Sequence, residues 1–134
     1  MKTYEYLEHT ADIKFRAYGK TVEQVFSNSA LAMFNSMSEE KIKESKKIKF
    51  RVKGSDLESL MYNFLEELLF YFETKNFFLN KIKIKINGFN LIAEASGGNS
   101  KDLVIDTHIK AVTYHEMFIK RQKNKCVAQV VLDV

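Results

Sequence analysis

At 134 residues the chain holds one domain with a real core and is too short for two, so a single domain spanning residues 1–134 is expected. With 46% hydrophobic and 28% charged residues its composition excludes disorder, and the lone Cys126 excludes a disulfide framework or a Cys-rich zinc cluster. No apolar run nears the roughly 20 residues of a membrane span, the start Met1-Lys2-Thr3-Tyr4-Glu5 lacks a secretory pattern, and a net charge of +4 permits nucleic-acid contact without requiring it. A cytoplasmic protein is expected.

Tyr4 to Gly19 reads as extended structure; from Asp12 onward, Ile13, Phe15 and Ala17 alternate with Asp12, Lys14 and Arg16. Thr21 and Gln24 have capping-box spacing, and Val22, Val25, Phe26, Ala30, Met33 and Phe34 recur at helical intervals, which predicts a helix from about Val22 to Asn35. Lys41 to Lys53 holds six lysines and one arginine against one acid, Glu44, and ends in the alternation Ile48, Phe50, Val52 of a half-buried strand with a basic outer face. Ser55 and Glu58 suggest a second capping box ahead of a long helix, Leu57 to about Thr74, which is the expected spine of the core.

Two alternating runs, Ile82-Ile84-Ile86 and Phe89-Leu91-Ala93-Ala95, flank Asn87-Gly88 and predict a hairpin. Ser96-Gly97-Gly98-Asn99-Ser100 reads as a flexible loop. Strands follow around His108–Arg121 and Cys126–Asp133, joined by a turn at Gln122 to Lys125. Strands outnumber helices and regular βαβ alternation is missing, so the predicted class is α+β: two helices packed on largely antiparallel sheet, in a single compact domain.

Three groups of residues carry chemistry. His9-Thr10-Ala11-Asp12 reads most simply as a turn in which side chains bond nearby backbone. In the last strand Val127, Gln129, Val131 and Asp133 share one face, so a regular strand fixes the Asp133 carboxylate beside the α-carboxylate of Val134. Two anions held that close repel unless a cation or donor lies between them, and a hard divalent cation bound through oxygens answers that need; the alternative is a pair of solvated carboxylates. In Lys110 to His115, a regular strand points Lys110 and Tyr114 one way and Thr113 and His115 the other, so only a bulge unites them.

In this order the segments resemble the archease family. The family's Tyr-x-x-x-x-His-Thr-Ala-Asp is matched by Tyr4 and His9 to Asp12, and an acidic-leucine segment ahead of a long helix by Asp56-Leu57-Glu58-Ser59-Leu60. Its Lys-Ala-Val-Thr-Tyr-His signature is matched by Lys110 to His115, and its C-terminal Leu-Asp-aliphatic by Leu132-Asp133-Val134. The resemblance implies an accessory protein, without catalysis of its own, for RtcB-type RNA ligases of transfer-RNA splicing and RNA repair. Such proteins promote guanylylation of the ligase's active-site histidine and support multiple turnover. It further implies a divalent cation, seen as Ca²⁺, on Asp12, Asp133 and Val134, with Lys110 in the ligase-activating surface and His9 and His115 as lesser contributors.

Two other functions compete. The basic stretch Lys41–Lys53 suggests RNA contact, as in an RNA-binding or chaperone-like partner of a transfer-RNA methyltransferase, although no RNA-binding signature interleaves aromatics with those lysines. A free-standing metal-dependent hydrolase fits less well, since ligands are few and Ser96-Gly97-Gly98 lacks the phosphate-loop lysine.

Overall fold

Period-two and period-3.6 patterns resolve into seven strands and two helices in the computed structural model, which describes residues 2–8 and 11–134. The extended N-terminal segment is a pair of antiparallel strands, β1 (Tyr4–Leu7) and β2 (Ile13–Gly19), registered Tyr4 to Ala17 and Leu7 to Lys14. Helix α1 (Val22–Met37) begins at Thr21, whose side chain accepts the Gln24 N–H, while the Gln24 amide oxygen accepts the N–H of Lys20. After β3 (Lys46–Lys53) comes α2 (Leu57–Lys75), capped differently from the expected Ser55/Glu58 pair. Asp56 is the cap: its carboxylate accepts the Ser59 N–H at 2.7 Å and the Ser59 hydroxyl accepts the Asp56 N–H at 3.2 Å. A carboxylate there also meets the positive end of the helix dipole, so aspartate wins over the neighbouring serine.

Strands β4 (Phe77–Asn87) and β5 (Asn90–Asn99) form the predicted hairpin, with Gly88 at φ +64° in its turn. The segment Ser96 to Ser100 departs from its expected loop. It completes β5 and enters a single 3-10 turn, Ser100–Asp102, and Gly97 and Gly98 are buried. These glycines serve close approach rather than flexibility: a Cβ on Gly97 would stand 1.9 Å from the Phe78 carbonyl oxygen. Strands β6 (Ala111–Gln122) and β7 (Lys125–Asp133) close the chain as a second hairpin, its turn using Asn124 at φ 64°.

The strands form two antiparallel sheets, ordered β1-β2-β7-β6 and β3-β5-β4. Each helix touches strands of both sheets, α1 through β2, β7 and β4, and α2 through β6, β3, β4 and β5. One apolar cluster joins them: Phe34 of α1 packs its ring edge-on against Phe72, Phe77 and Phe78, and Phe64 of α2 lies between Phe26 and Phe50. The architecture is the expected α+β class. Among the described residues no helix is long and apolar enough to cross a membrane.

Candidate functional site

The β2–β7 ladder is a long-range antiparallel pairing that runs from Gly19 opposite Cys126 to Ile13 opposite Leu132. Ile13 and Leu132 turn inward, since Phe15, Ala17, Ala128, Val130 and Leu132 are fully buried. Asp12 precedes the first paired residue of β2 and Asp133 follows the last paired residue of β7 in this ladder, so both lie at the same end of the sheet, one position beyond Ile13 and Leu132. Asp133 is exposed and Asp12 half-buried. Val134 packs its half-buried side chain on the core, anchoring the last residue of the strand end.

Lys110 comes to the same end from the other side of β7. Its backbone N–H donates to the Asp133 carbonyl at 2.7 Å, and Ala111 pairs with Asp133. Asp133 ends β7, and Asp12, Val134 and Lys110 lie just beyond the ends of β2, β7 and β6, at one end of the four-stranded sheet. Next to them, a cleft of about 350 Å³ is lined by Asp12, Lys14, Glu39 and Asp106 among others. Among the described residues no three His, Cys, Asp or Glu side chains are grouped closely enough to hold a metal ion. His9 lies outside the described residues.

The Lys110–His115 segment runs into a bulge larger than a single extra residue. Pairing steps from Thr113–Val131 to Phe118–Gln129, so Tyr114, His115, Glu116 and Met117 oppose Val130 alone. Glu116 takes φ 54°, the left-handed region, which turns the chain. On one side the bulge is pinned to α2: the Tyr114 and Tyr62 rings stack at 4.3 Å and 8°, and Glu66 accepts the Val112 N–H at 3.1 Å. Partial burial, together with Tyr62, pushes the Tyr114 phenol above its ordinary range. On the other side Glu116 reaches across β7 to Lys14 at 3.5 Å, and its carbonyl accepts from the Gln129 amide at 2.8 Å. Gln129 in turn accepts the Arg16 Nε–H at 2.9 Å, which satisfies a side chain only 4% exposed.

His115 is exposed and sits in this bulge, opposite Val130; at strand rise that is about 10 Å from Asp133 along β7. It belongs to the same outer face but not to the carboxylate pair. Lys14, Glu116 and Gln129 escaped the sequence reading because their roles depend on register. Gln129 gave the one available signal, an uncharged polar residue on the outward positions of an otherwise apolar strand.

The chain matches the model of the Archease protein family (MTH1598/TM1083) over residues 4–134. It is 43% identical over 141 aligned positions to protein archease of Methanosarcina barkeri, covering 99% of this chain and 97% of that one. Protein 1598 of Methanobacterium thermoautotrophicum, known from its solution structure, superposes with a TM-score of 0.88 at 36% identity, with full coverage of both chains. A crystal structure from Thermotoga maritima, of a protein described as an archease and possible chaperone, shares the fold at a TM-score of 0.67 and 20% identity, covering 96% of this chain and 94% of that one.

Proposed function

The chain belongs to the archease family, and on that premise we propose that it is an accessory activator of an RtcB-type RNA ligase, promoting guanylylation of the ligase histidine and repeated turnover through the acidic sheet end. The observation that carries this reading is the Ile13–Leu132 pairing, which closes the β2–β7 ladder one residue short of Asp12 and Asp133. Family resemblance assigns a metal to these two residues and Val134, and the donors fit one. The two aspartates offer carboxylate oxygens and Val134 a backbone oxygen, and oxygen donors suit a hard divalent ion such as Ca²⁺. Three residues fall short of the 6–8 oxygens such an ion takes, so water or the ligase completes the shell. A bound cation would supply neutralisation of the paired carboxylates.

The protein's own residues do the rest. The strand ends bring the two aspartates to one end of the sheet, and Lys110, bonded through its N–H to the Asp133 carbonyl, adds an exposed cation there for an anionic partner group. The Glu116–Lys14 pair and the Tyr62–Tyr114 stack brace the bulge on both sides, so the tip meets the ligase already ordered. Positioning and charge compensation are what nucleotidyl transfer chiefly asks of an accessory protein.

Ligase guanylylation followed with and without this chain at limiting divalent metal tests the proposal. Faster formation of the guanylylated histidine and more than one turnover are expected. An unchanged rate would overturn the activator reading, and product from this chain alone would make it an enzyme.

A further inference from the structure

The second sheet carries a charged surface of opposite sign, remote in topology from the acidic end. On β3 the residues Lys47, Lys49, Arg51 and Lys53 are exposed, and on β4 so are Lys81, Lys83 and Lys85. The register sets them opposite one another across β5: Lys47 and Lys81 flank Ser96, Lys49 and Lys83 flank Glu94, and Arg51 and Lys85 flank Ile92. Seven cations therefore form two rows with β5 as the floor between them, and a trough of about 650 Å³ opens there. Two carboxylates answer them, Glu94 at 3.4 Å from Lys49 and Glu44 at 3.9 Å from Lys81. That surplus exceeds the formal +4 of the whole chain, so the excess charge of the molecule is concentrated on this face. Lys46, which belongs to the same basic stretch of sequence, is not part of it: its ammonium donates to the Lys75 carbonyl at the end of α2.

We infer that the outer face of the β3-β5-β4 sheet docks the phosphodiester backbone of RNA, laid along β5 between the two rows and held without reading of base sequence. Successive cations in each row are about 6.7 Å apart and the rows about 9.6 Å apart, so each phosphate in the trough meets positive charge on both sides. No aromatic side chain occupies the outward positions of the three strands, so bases have no stacking platform and phosphate contacts carry the affinity. A protein partner fits this face poorly, because interface centres are aromatic and depleted in lysine. Lysines on edge strands also discourage strand association, but that needs only isolated charges and not two rows in register. The inference stands apart from the ligase reading, since it concerns the other sheet and its test uses no ligase.

Fluorescence anisotropy with labelled oligouridylate and oligoadenylate of roughly 20 nucleotides tests it, using the full chain. The wild-type protein should bind both within about twofold of each other, and weaken roughly 50-fold between about 50 and 200 mM salt if about four phosphates are neutralised. Lys49→Glu/Lys83→Glu/Lys85→Glu should lose about tenfold or more in affinity. Lys20→Glu/Arg121→Glu/Lys123→Glu, with the same change in net charge on the other sheet, should lose far less. Thermal melts by circular dichroism confirm that both triple variants fold. Equal losses from the two triples, no saturable binding by the wild type, or strong discrimination between the homopolymers would overturn the inference. So would tighter, face-dependent binding of polyglutamate or of phosphatidylserine vesicles than of RNA.

Discussion

An Asp12→Ala/Asp133→Ala protein is expected to fold normally and to lose ligase stimulation by about tenfold or more, in a guanylylation assay at limiting metal. The fold should survive because Asp133 is exposed and Asp12 half-buried, both lie just outside the Ile13–Leu132 pair, and the apolar cluster beneath includes neither. Function should fall steeply because groups that merely orient metal ligands already cost 10–100-fold when altered, and here two proposed ligands go at once. The residues are neighbours, so their effects should be coupled, each single variant costing nearly as much as the double. A double variant that stimulates like the wild type would remove the carboxylates from the mechanism.

Gly97→Ala is expected to destabilise the fold by about 3 kcal/mol or more, at the upper end of what overpacking usually costs. The added Cβ would stand 1.9 Å from the Phe78 carbonyl oxygen and 2.8 Å from its carbon. Those are backbone atoms of the paired strand β4, which has Leu79 opposite Gly97 and Phe78 opposite Gly98, so no side chain can swing away. Gly97 also accepts the Ser45 N–H through its carbonyl at 2.7 Å, tying in the approach to β3. A loss of that size is a large part of a typical margin of about 5–15 kcal/mol. Gly88→Ala is the comparison: nothing lies within 4 Å of its Cβ and only the φ of +64° is unfavourable, for about 1 kcal/mol. Urea midpoints of the two variants check the contrast, and equal shifts would refute the close-approach argument.

Gly97 also marks where sequence and structure part. A Ser-Gly-Gly-Asn-Ser run has the composition of a loop, and only the presence of Phe78 against it shows that glycine is there for want of a side chain. Alternation did reveal what it encodes locally. Phe15 and Ala17 face inward as their spacing required, Ile48, Phe50 and Val52 turn away from the basic side of β3, and the long α2 spine is buried from Leu60 to Leu69. The capping shift to Asp56 and Ser59 is a competition between adjacent polar residues that spacing alone does not decide.

What remained hidden was non-local. A signature running Lys110 to His115 shows that a bulge is needed to unite its side chains, but not that four residues oppose Val130 or that Glu116 turns back to Lys14. Likewise the lysines of β3 were visible as a basic stretch. Their counterparts on β4 became one surface with them only through β5, a strand that pairs with both. The aspartates sit between these cases: the family resemblance named Asp12, Asp133 and Val134, and the β2–β7 pairing brings the ends of those two strands side by side.

A cation shared by these strand ends would show in a Ca²⁺ titration followed by backbone amide NMR shifts. Saturable shifts are expected, centred on Ala11 to Ile13, Leu132 to Val134 and Lys110, whose N–H reports on the Asp133 carbonyl it bonds. They should disappear in Asp12→Ala/Asp133→Ala. Shifts confined to Glu39 and Asp106 in the neighbouring cleft, or no saturable shift at all, would contradict it.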